Sequence, residues 1–171
     1  MSDKLFDVSQ KICIVTGGLG QLGKNFVQEL RARDARVAVW ARHVDDQRVV
    51  AALGQEALSD PNLRFYAVDI NRKATIEAAL DDMQAAWGDA PDVLVNNAGV
   101  VDDAFLLMIN EDSLTRSLDI NIKGYFHCAQ QAALKMMSKK QGVIINVSSV
   151  SSILAVDGQG VYSATKGAVN S

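Results

Sequence analysis

The sequence predicts a single α/β domain built on a doubly wound parallel sheet. Short apolar runs of strand length alternate along the chain with longer segments of helical periodicity, which is the order of elements in such sheets. The first run is apolar throughout, as expected for a strand buried on both faces. A length of 171 residues suffices for one domain with a sizeable core. We therefore expect a single domain over residues 1–171, with strand order 3-2-1-4-5.

The overall composition is that of an ordinary globular protein. Hydrophobic residues make up 49% and charged residues 22% of the chain, and the formal net charge is −3. Because no basic run has the length of a nucleic-acid patch and no apolar run approaches a membrane span, we expect neither partner. Cys13 and Cys128 lie in apolar stretches without the spacing of metal ligands. With no export leader ahead of Lys11, they indicate reduced core thiols in a cytoplasmic protein, and no metal site.

Five strands and the helices between them follow from the apolar pattern. Pro61 interrupts the second helical segment, and Gly88 and Gly142 end the third and the fourth. The lead-in before the first strand is polar except for Leu5 and Phe6, which we expect to pack on the domain. The predicted strands are 11–15, 36–41, 63–68, 93–95 and 143–147, and the predicted helices after the first are 44–59, 72–87 and 110–140.

A glycine-rich turn follows the first strand and opens the first helix. Gly18, Gly20 and Gly23 match the Gly-x-Gly-x-x-Gly spacing, and apolar residues spaced by four follow at once. A pyrophosphate at a helix N-terminus needs backbone N–H groups and no side chains in the way. We therefore expect dinucleotide binding here; the alternative is a glycine-rich turn that binds no ligand.

The end of the second strand bears on which dinucleotide would bind. In NAD-binding domains a carboxylate stands about 20 residues beyond the glycines and holds the ribose 2′-hydroxyl. This chain has Ala41 and Arg42 there, and an arginine suits the 2′-phosphate of NADP. Asp45 and Asp46 come later and fit the start of a helix. NADP is therefore preferred, and NAD is possible.

Polar and small residues also follow the third and fourth strands. Asp69 is placed to accept a hydrogen bond from an adenine amino group; alternatively, Asp69 or Asn71 caps the next helix. The segment 96–99, Asn-Asn-Ala-Gly, lies where ligands bind at the carboxyl edge of such sheets. Inside the long fourth helix, Asn121 and Gly124 disfavour regular helix, which predicts a kink near Asn121.

The last segment of the chain carries a candidate acid–base residue. Tyr162 and Lys166 are four residues apart, so on a helix they share a face. An ammonium beside a phenol favours the phenolate, which makes the phenol useful for proton transfer near neutral pH. The alternative is a surface pair without function, because this spacing is common on helices.

These residues together resemble the short-chain dehydrogenase/reductase family across essentially the whole chain. The matching pieces are Thr16-Gly17 with Gly20 and Gly23, Asp69, Asn96-Asn97-Ala98-Gly99, Asn121, Ser149, and Tyr162 with Lys166. Ser149 precedes Tyr162 by 13 residues, the spacing familiar in this family. The resemblance implies a Rossmann-type domain that transfers a hydride between a nicotinamide cofactor and a secondary alcohol or ketone. The implied cofactor site comprises Thr16, Gly17, Gly18, Gly20, Gln21, Leu22, Gly23, Arg42, Asp69, Ile70, Asn97, Ala98, Gly99, Tyr162 and Lys166.

By this resemblance, four side chains would carry the reaction. Tyr162 would be the acid in carbonyl reduction and the base in alcohol oxidation, while Lys166 would stabilise its phenolate and hydrogen-bond the nicotinamide ribose. Ser149 would donate to the substrate oxygen, and Asn121 would hold a water that links Lys166 to solvent. The helices that carry Asn121 and Tyr162 form the dimer surface in relatives, so a homodimer or homotetramer is expected.

Two features depart from the family pattern. Gln21 stands where the core type usually carries glycine, and the resulting Thr-Gly-x-x-Gly-x-x-Gly loop is the form of the extended branch. An epimerase-like enzyme is therefore an alternative. The chain also ends at Ser171, before two further strands and the covering loop of family members. We accordingly expect a truncated domain, which leaves the substrate open and makes a catalytically silent nucleotide-binding fragment or sensor a further alternative.

Overall fold

The computed structural model describes residues 7–154 and 156–171 and confirms the doubly wound parallel sheet. All five strands are parallel, and their order is 3-2-1-4-5. Each strand agrees with its predicted range to within one residue at either end. Leu5 and Phe6 lie outside the described residues, so their packing stays a prediction. The strands are β1 (Ile12–Thr16), β2 (Arg36–Ala41), β3 (Leu63–Ala67), β4 (Val93–Asn96) and β5 (Val143–Asn146).

Helices connect the strands and cover both faces of the sheet. None of the helices in the described part of the chain has the length and apolarity that a membrane span requires. Short 3₁₀ turns precede β3, α4 and α6, and a π-helical turn joins α4 to α5. The α-helices are α1 (Gly23–Ala32), α2 (Asp46–Leu53), α3 (Lys73–Trp87), α4 (Glu111–Leu118), α5 (Tyr125–Met137) and α6 (Gly160–Asn170).

Successive residues of the central strand face opposite sides of the sheet and build two apolar cores. Ile12 and Ile14 of β1 pack in the core formed with α3 and α5, whereas Cys13 and Val15 pack in the core formed with α1. All four side chains are buried. The unbroken apolar run in the sequence is therefore the signature of a strand covered on both faces, as predicted.

The carboxyl ends of the strands meet at one edge of the sheet. Thr16 of β1 pairs with Trp40 of β2, and Asn96 of β4 pairs with Asn146 of β5. The glycine-rich turn and the segment 97–99 therefore leave the sheet side by side. The candidate functional residues lie along this edge.

The second helical segment is shorter than the sequence predicts. α2 ends at Leu53, and Gly54 adopts a φ of 92°, a conformation that glycine favours, before a separate 3₁₀ turn begins. The start of α2 confirms the expected role of the acidic residues: the Asp45 carboxylate is the N-cap and accepts a hydrogen bond from the backbone N–H of Arg48.

The start of α3 differs from the capping prediction. Its N-cap is Arg72, which makes no capping hydrogen bond with its side chain. The Asp69 carboxylate accepts a hydrogen bond from the backbone N–H of Asn71 at 3.1 Å, in a local turn ahead of the helix. The proposal that Asp69 or Asn71 caps this helix is therefore wrong, because the helix begins at Lys73, one residue later than a cap at Asn71 requires.

The long fourth helix contains the predicted irregularity. A π-helical turn spans Asp119–Gly124, between α4 and α5, and Asn121 lies inside it. Single π turns of this kind are frequent at functional sites. A side chain on Gly124 would come within 2.6 Å of Ile70 Cδ1, so the glycine allows the helix to pack closely on the segment after β3.

Candidate functional site

A cleft of about 840 Å³ opens along the carboxyl edge of the sheet, from the glycine-rich turn to the first turn of α6. Thr16, Gly18, Gly23, Asn121 and Ser149, which the sequence also predicted, lie outside its lining. The other predicted residues line the cleft: Gly17, Gly20, Gln21, Leu22, Arg42, Asp69, Ile70, Asn97, Ala98, Gly99, Tyr162 and Lys166.

The glycine-rich turn is tight because the chain packs on its own backbone there. Gly17 has a φ of 65°, and a side chain on it would come within 3.0 Å of Ala98 Cα. A Cβ on Gly23 would overlap the Gly17 carbonyl oxygen and lie 2.8 Å from Gly18 Cα. No side chain caps α1. The backbone N–H groups of Lys24 and Asn25 donate to carbonyl oxygens of the preceding turn, so an anion would meet the N–H groups that come before Lys24.

Thr16 ties the glycine-rich turn to the loop after β4. Its hydroxyl oxygen is buried and accepts hydrogen bonds from the backbone N–H groups of Asn97 and Ala98, both at 2.9 Å. The Asn97 side-chain amide returns a hydrogen bond to the Thr16 carbonyl oxygen at 2.9 Å. Thr16 therefore positions two walls of the cleft and has no surface for a ligand.

A second cavity of about 570 Å³ adjoins the cleft at the end of β2. Arg42 lines both, and the side chains of Lys24 and Arg48 line the second cavity with it. Arg48 Nε also pairs with the Asp45 carboxylate at 2.9 Å. Arg42 was predicted from the sequence, whereas Lys24 and Arg48 were not. Their signal in the sequence is a cation one residue after the last glycine and another on the first turn of α2. Three cations here make a site for an anionic group.

Asn121 clamps the loop after β4 to α6. Its side chain is fully buried; Oδ1 accepts from the Val100 N–H at 2.9 Å, and Nδ2 donates to the Val100 carbonyl at 2.8 Å. Nδ2 also donates to the Thr165 hydroxyl at 3.1 Å. Because Thr165 precedes Lys166, this clamp holds the helix that carries the lysine.

Lys166 is buried, and its ammonium makes two hydrogen bonds within the chain. Its ammonium donates to the Tyr125 hydroxyl at 3.0 Å and to the Val147 carbonyl at 2.7 Å. The ammonium lies 5.9 Å from the centre of the Tyr162 ring. Tyr162 and Lys166 share one face, as predicted, but the phenol in hydrogen-bond contact with the ammonium is that of Tyr125, which was not predicted from the sequence. Burial lowers the pKa of Lys166 to about 8.

Ser149 stands at the start of the 3₁₀ turn after β5. Its hydroxyl oxygen accepts a hydrogen bond from the backbone N–H of Ser151 at 3.1 Å, so its own proton remains available to another acceptor. The neighbouring Ser148 lines the cleft, and its hydroxyl donates to the Lys166 carbonyl oxygen at 3.1 Å. The two serines thus have different tasks: Ser148 packs the helix and Ser149 keeps a free donor.

Comparison with solved structures supports the same architecture. The structure described as ElxO with NADP bound superposes with a TM-score of 0.84 at 25% sequence identity, over 94% of this chain and 64% of that one. A variant of ElxO with NADPH bound superposes equally well. Both of these ElxO structures hold a nicotinamide dinucleotide.

Comparison with known sequences identifies the family. An acetoacetyl-CoA reductase of an Acinetobacter species is 32% identical over 94% of this chain, and a sorbitol-6-phosphate 2-dehydrogenase of Klebsiella pneumoniae is 33% identical over 96%. The 3-oxoacyl-(acyl-carrier-protein) reductase FabG of Escherichia coli is 30% identical over 91%. The chain spans 64%, 61% and 62% of the length of these three relatives, respectively. The family model for short chain dehydrogenases matches residues 11–171, and the chain therefore belongs to the short-chain dehydrogenase family.

Proposed function

We propose that the chain acts as an NAD(P)-dependent oxidoreductase, which transfers a hydride between a nicotinamide cofactor and a secondary alcohol or ketone. One observation carries the proposal: Tyr162 and Lys166 line the same cleft as the glycine-rich turn. A dinucleotide with its pyrophosphate at the N-terminus of α1 would then reach the phenol with its other end. The relatives named above as reductases and a dehydrogenase support the same reaction class.

NADP is the cofactor that we propose. Arg42, Lys24 and Arg48 line the cavity next to the cleft, and no carboxylate is among the residues that line it. These cations would attract a ribose 2′-phosphate placed there. A site that selects NAD instead has a carboxylate at this position, which bonds the ribose 2′-hydroxyl. The glycine-rich turn would hold the pyrophosphate, and Asp69 would accept from the adenine amino group.

The chain's own residues would place the substrate and move the proton, while the cofactor supplies the hydride. Tyr162 would pass its hydroxyl proton to the carbonyl oxygen in reduction and recover a proton in oxidation. The Lys166 ammonium supplies positive charge near that phenol. Ser149 would donate its free hydroxyl proton to the substrate oxygen, and Asn121 would keep α6 in register with the loop after β4.

The direct test measures the oxidation of NADPH by its absorbance, with a panel of ketones as substrates. Tyr162→Phe should lower kcat by about 10²–10⁴-fold, the usual contribution of a positioned acid, while NADPH affinity is retained. Tyr66→Phe is the matched control, since this phenol lies on β3 and bonds the Asp82 carboxylate. Equal turnover in the Tyr162 variant would contradict the catalytic assignment, and NADPH binding without any turnover would favour a silent nucleotide-binding module.

The cofactor preference has its own test. Arg42→Ala should weaken NADPH binding by about 10–100-fold and leave NADH binding nearly unchanged, because only NADPH loses a charge-assisted hydrogen bond. Arg33→Ala is the control, since Arg33 is exposed at the end of α1 and its guanidinium pairs with Glu29, four residues earlier. Equal losses for the two cofactors would overturn the choice of NADP.

We also propose that the chain acts as a homo-oligomer in a reducing, cytoplasmic setting. Leu118 of α4 and Phe126 of α5 are large apolar side chains, 41% and 68% exposed, in the long predicted helix that the family resemblance assigns to the dimer surface. Cys13 and Cys128 are free and buried. Sedimentation velocity should give a dimer or tetramer that Phe126→Glu dissociates; a wild-type monomer at all concentrations would refute this.

A further inference from the structure

The hydroxyl of Tyr125 is one corner of a closed hydrogen-bond triangle, whose other corners are the Val147 carbonyl oxygen and the Lys166 ammonium. Tyr125 is the first residue of α5, directly after the π-helical turn, and its side chain is buried. Its hydroxyl donates to the Val147 carbonyl at 3.1 Å and accepts from the Lys166 ammonium at 3.0 Å. Lys166 completes the triangle by donating to the Val147 carbonyl at 2.7 Å.

The triangle leaves one donor of the ammonium uncommitted. A lysine ammonium has three N–H donors, and two of those of Lys166 point to Tyr125 and Val147. The ammonium also lies 4.7 Å from the centre of the Tyr125 ring, within cation–π distance. Both the ring and the hydroxyl of Tyr125 therefore hold the charged form of Lys166 against the wall of the cleft.

We propose that Tyr125 is a positioning residue, whose hydroxyl holds the Lys166 ammonium in place and keeps it protonated at neutral pH. Burial disfavours a charged lysine, and a hydrogen-bond acceptor favours it. Since the phenol proton is donated to Val147, the phenol oxygen meets Lys166 as an acceptor. Removing this oxygen alone would leave the buried ammonium with one acceptor fewer, so its affinity for the proton would fall.

Among the titratable groups near Lys166, Tyr125 is the one that forms a hydrogen bond with its ammonium. Tyr162 lies on the same helix, with its ring centre 5.9 Å from the ammonium. Cys128, one turn beyond Tyr125 on α5, is buried, and burial raises its pKa. Burial likewise raises the pKa of Tyr125, so both groups are neutral at pH 7. The remaining charged side chains of the cleft are those of Arg42, Asp69, Asp112, Arg116 and Asp119.

The inference concerns the same site as the proposed function, but its main test needs no turnover. Competitive labelling of amines with acetic anhydride, read by mass spectrometry across pH 6 to 11, measures the proton affinity of Lys166 in the chain alone. We expect a wild-type midpoint near pH 8. In Tyr125→Phe, which keeps the ring, the midpoint should fall by about one pH unit, the usual worth of one hydrogen bond to a charged group.

Two further variants make the result decisive. Tyr66→Phe removes a phenol hydroxyl that bonds Asp82 and should leave the Lys166 midpoint unchanged. Tyr125→Met keeps an apolar side chain with only a weak acceptor, and should lower the midpoint as Tyr125→Phe does. Circular dichroism identifies which variants are folded. A folded Tyr125 variant with the wild-type midpoint would overturn the proposal.

A kinetic readout separates this inference from the proposed function. If the chain catalyses ketone reduction, the alkaline limb of its pH–activity profile should shift to lower pH in Tyr125→Phe, by the same interval as the labelling midpoint. A purely structural role would lower activity equally at all pH values. A shifted labelling midpoint without wild-type turnover would refute the proposed function and support the role of Tyr125, whereas turnover with an unshifted midpoint would refute only that role.

Discussion

Replacing Gly23 by alanine tests whether close packing in the glycine-rich turn is needed for the dinucleotide binding proposed above. The new Cβ would overlap the Gly17 carbonyl oxygen and lie 2.8 Å from Gly18 Cα, and both neighbours are backbone atoms that cannot rotate away. Real Cβ atoms essentially never approach other atoms closer than 3.0 Å. The turn and the start of α1 must therefore separate.

The expected cost follows from this overlap. Overpacking against backbone costs about 3 kcal/mol, and the better helix propensity of alanine returns at most about 1 kcal/mol. A net loss of about 2 kcal/mol should lower Tm by about 4–8 °C in a chain of this length. The displaced N–H groups should also lose at least one hydrogen bond to the pyrophosphate, which weakens NADPH binding by about 10–100-fold.

Gly167→Ala provides the matched control. Gly167 lies inside α6, and a Cβ there meets nothing within 4 Å. The same chemical change should therefore raise Tm by about 2–4 °C, since alanine is favoured over glycine in a helix by about 1 kcal/mol. Thermal unfolding and NADPH titration of both variants decide the matter. A Gly23→Ala chain with wild-type Tm and affinity would refute the packing argument.

Two further predictions concern buried groups away from the cleft. Lys139→Met should destabilise the chain by about 2 kcal/mol in urea unfolding, because the mostly buried Asp92 carboxylate loses its ion-pair partner at 2.8 Å and is left with the more exposed Lys11 at 3.8 Å. Lys135→Met, which breaks an exposed pair, should cost less than about 0.5 kcal/mol; equal costs would contradict the assignment. Burial raises the pKa of the Cys13 and Cys128 thiols to about 12 from 9.0, so their contribution to stability is complete below pH 9 and is lost as pH rises towards 12. Urea unfolding should show a shallower alkaline loss in Cys128→Ala than in the wild type, and identical slopes would count against this account.

The sequence predicted the sheet well because buried strands have a strong local signature. The unbroken apolar run of β1 and its neighbours placed each strand to within one residue. The second helical segment was predicted too long because its periodicity continues past Gly54, and only the backbone shows that this residue turns the chain out of the helix. The π-helical turn was predicted as a kink, since Asn121 and Gly124 are both unfavourable in a regular helix.

The candidate site was predicted in its motifs but not in its contacts. Tyr162 and Lys166 stand four residues apart, so their shared face follows from helix geometry. Tyr125 lies 41 residues from Lys166 in the chain, and its contact depends on how α5 and α6 pack. Lys24 and Arg48 were missed for the same reason, because they meet Arg42 only when α1, α2 and β2 are assembled.

The hydroxyl of Thr16 has a consequence for the time course of folding. It accepts hydrogen bonds from Asn97 and Ala98, which follow Thr16 by 81 and 82 positions in the chain. During synthesis at about 5–20 residues per second, the partners of Thr16 emerge roughly 4–16 seconds after it. Until then, the glycine-rich turn lacks the bonds that hold it against the loop after β4. We therefore expect the glycine-rich turn to reach its final conformation later than the rest of β1 and α1, although it is encoded near the start of the chain.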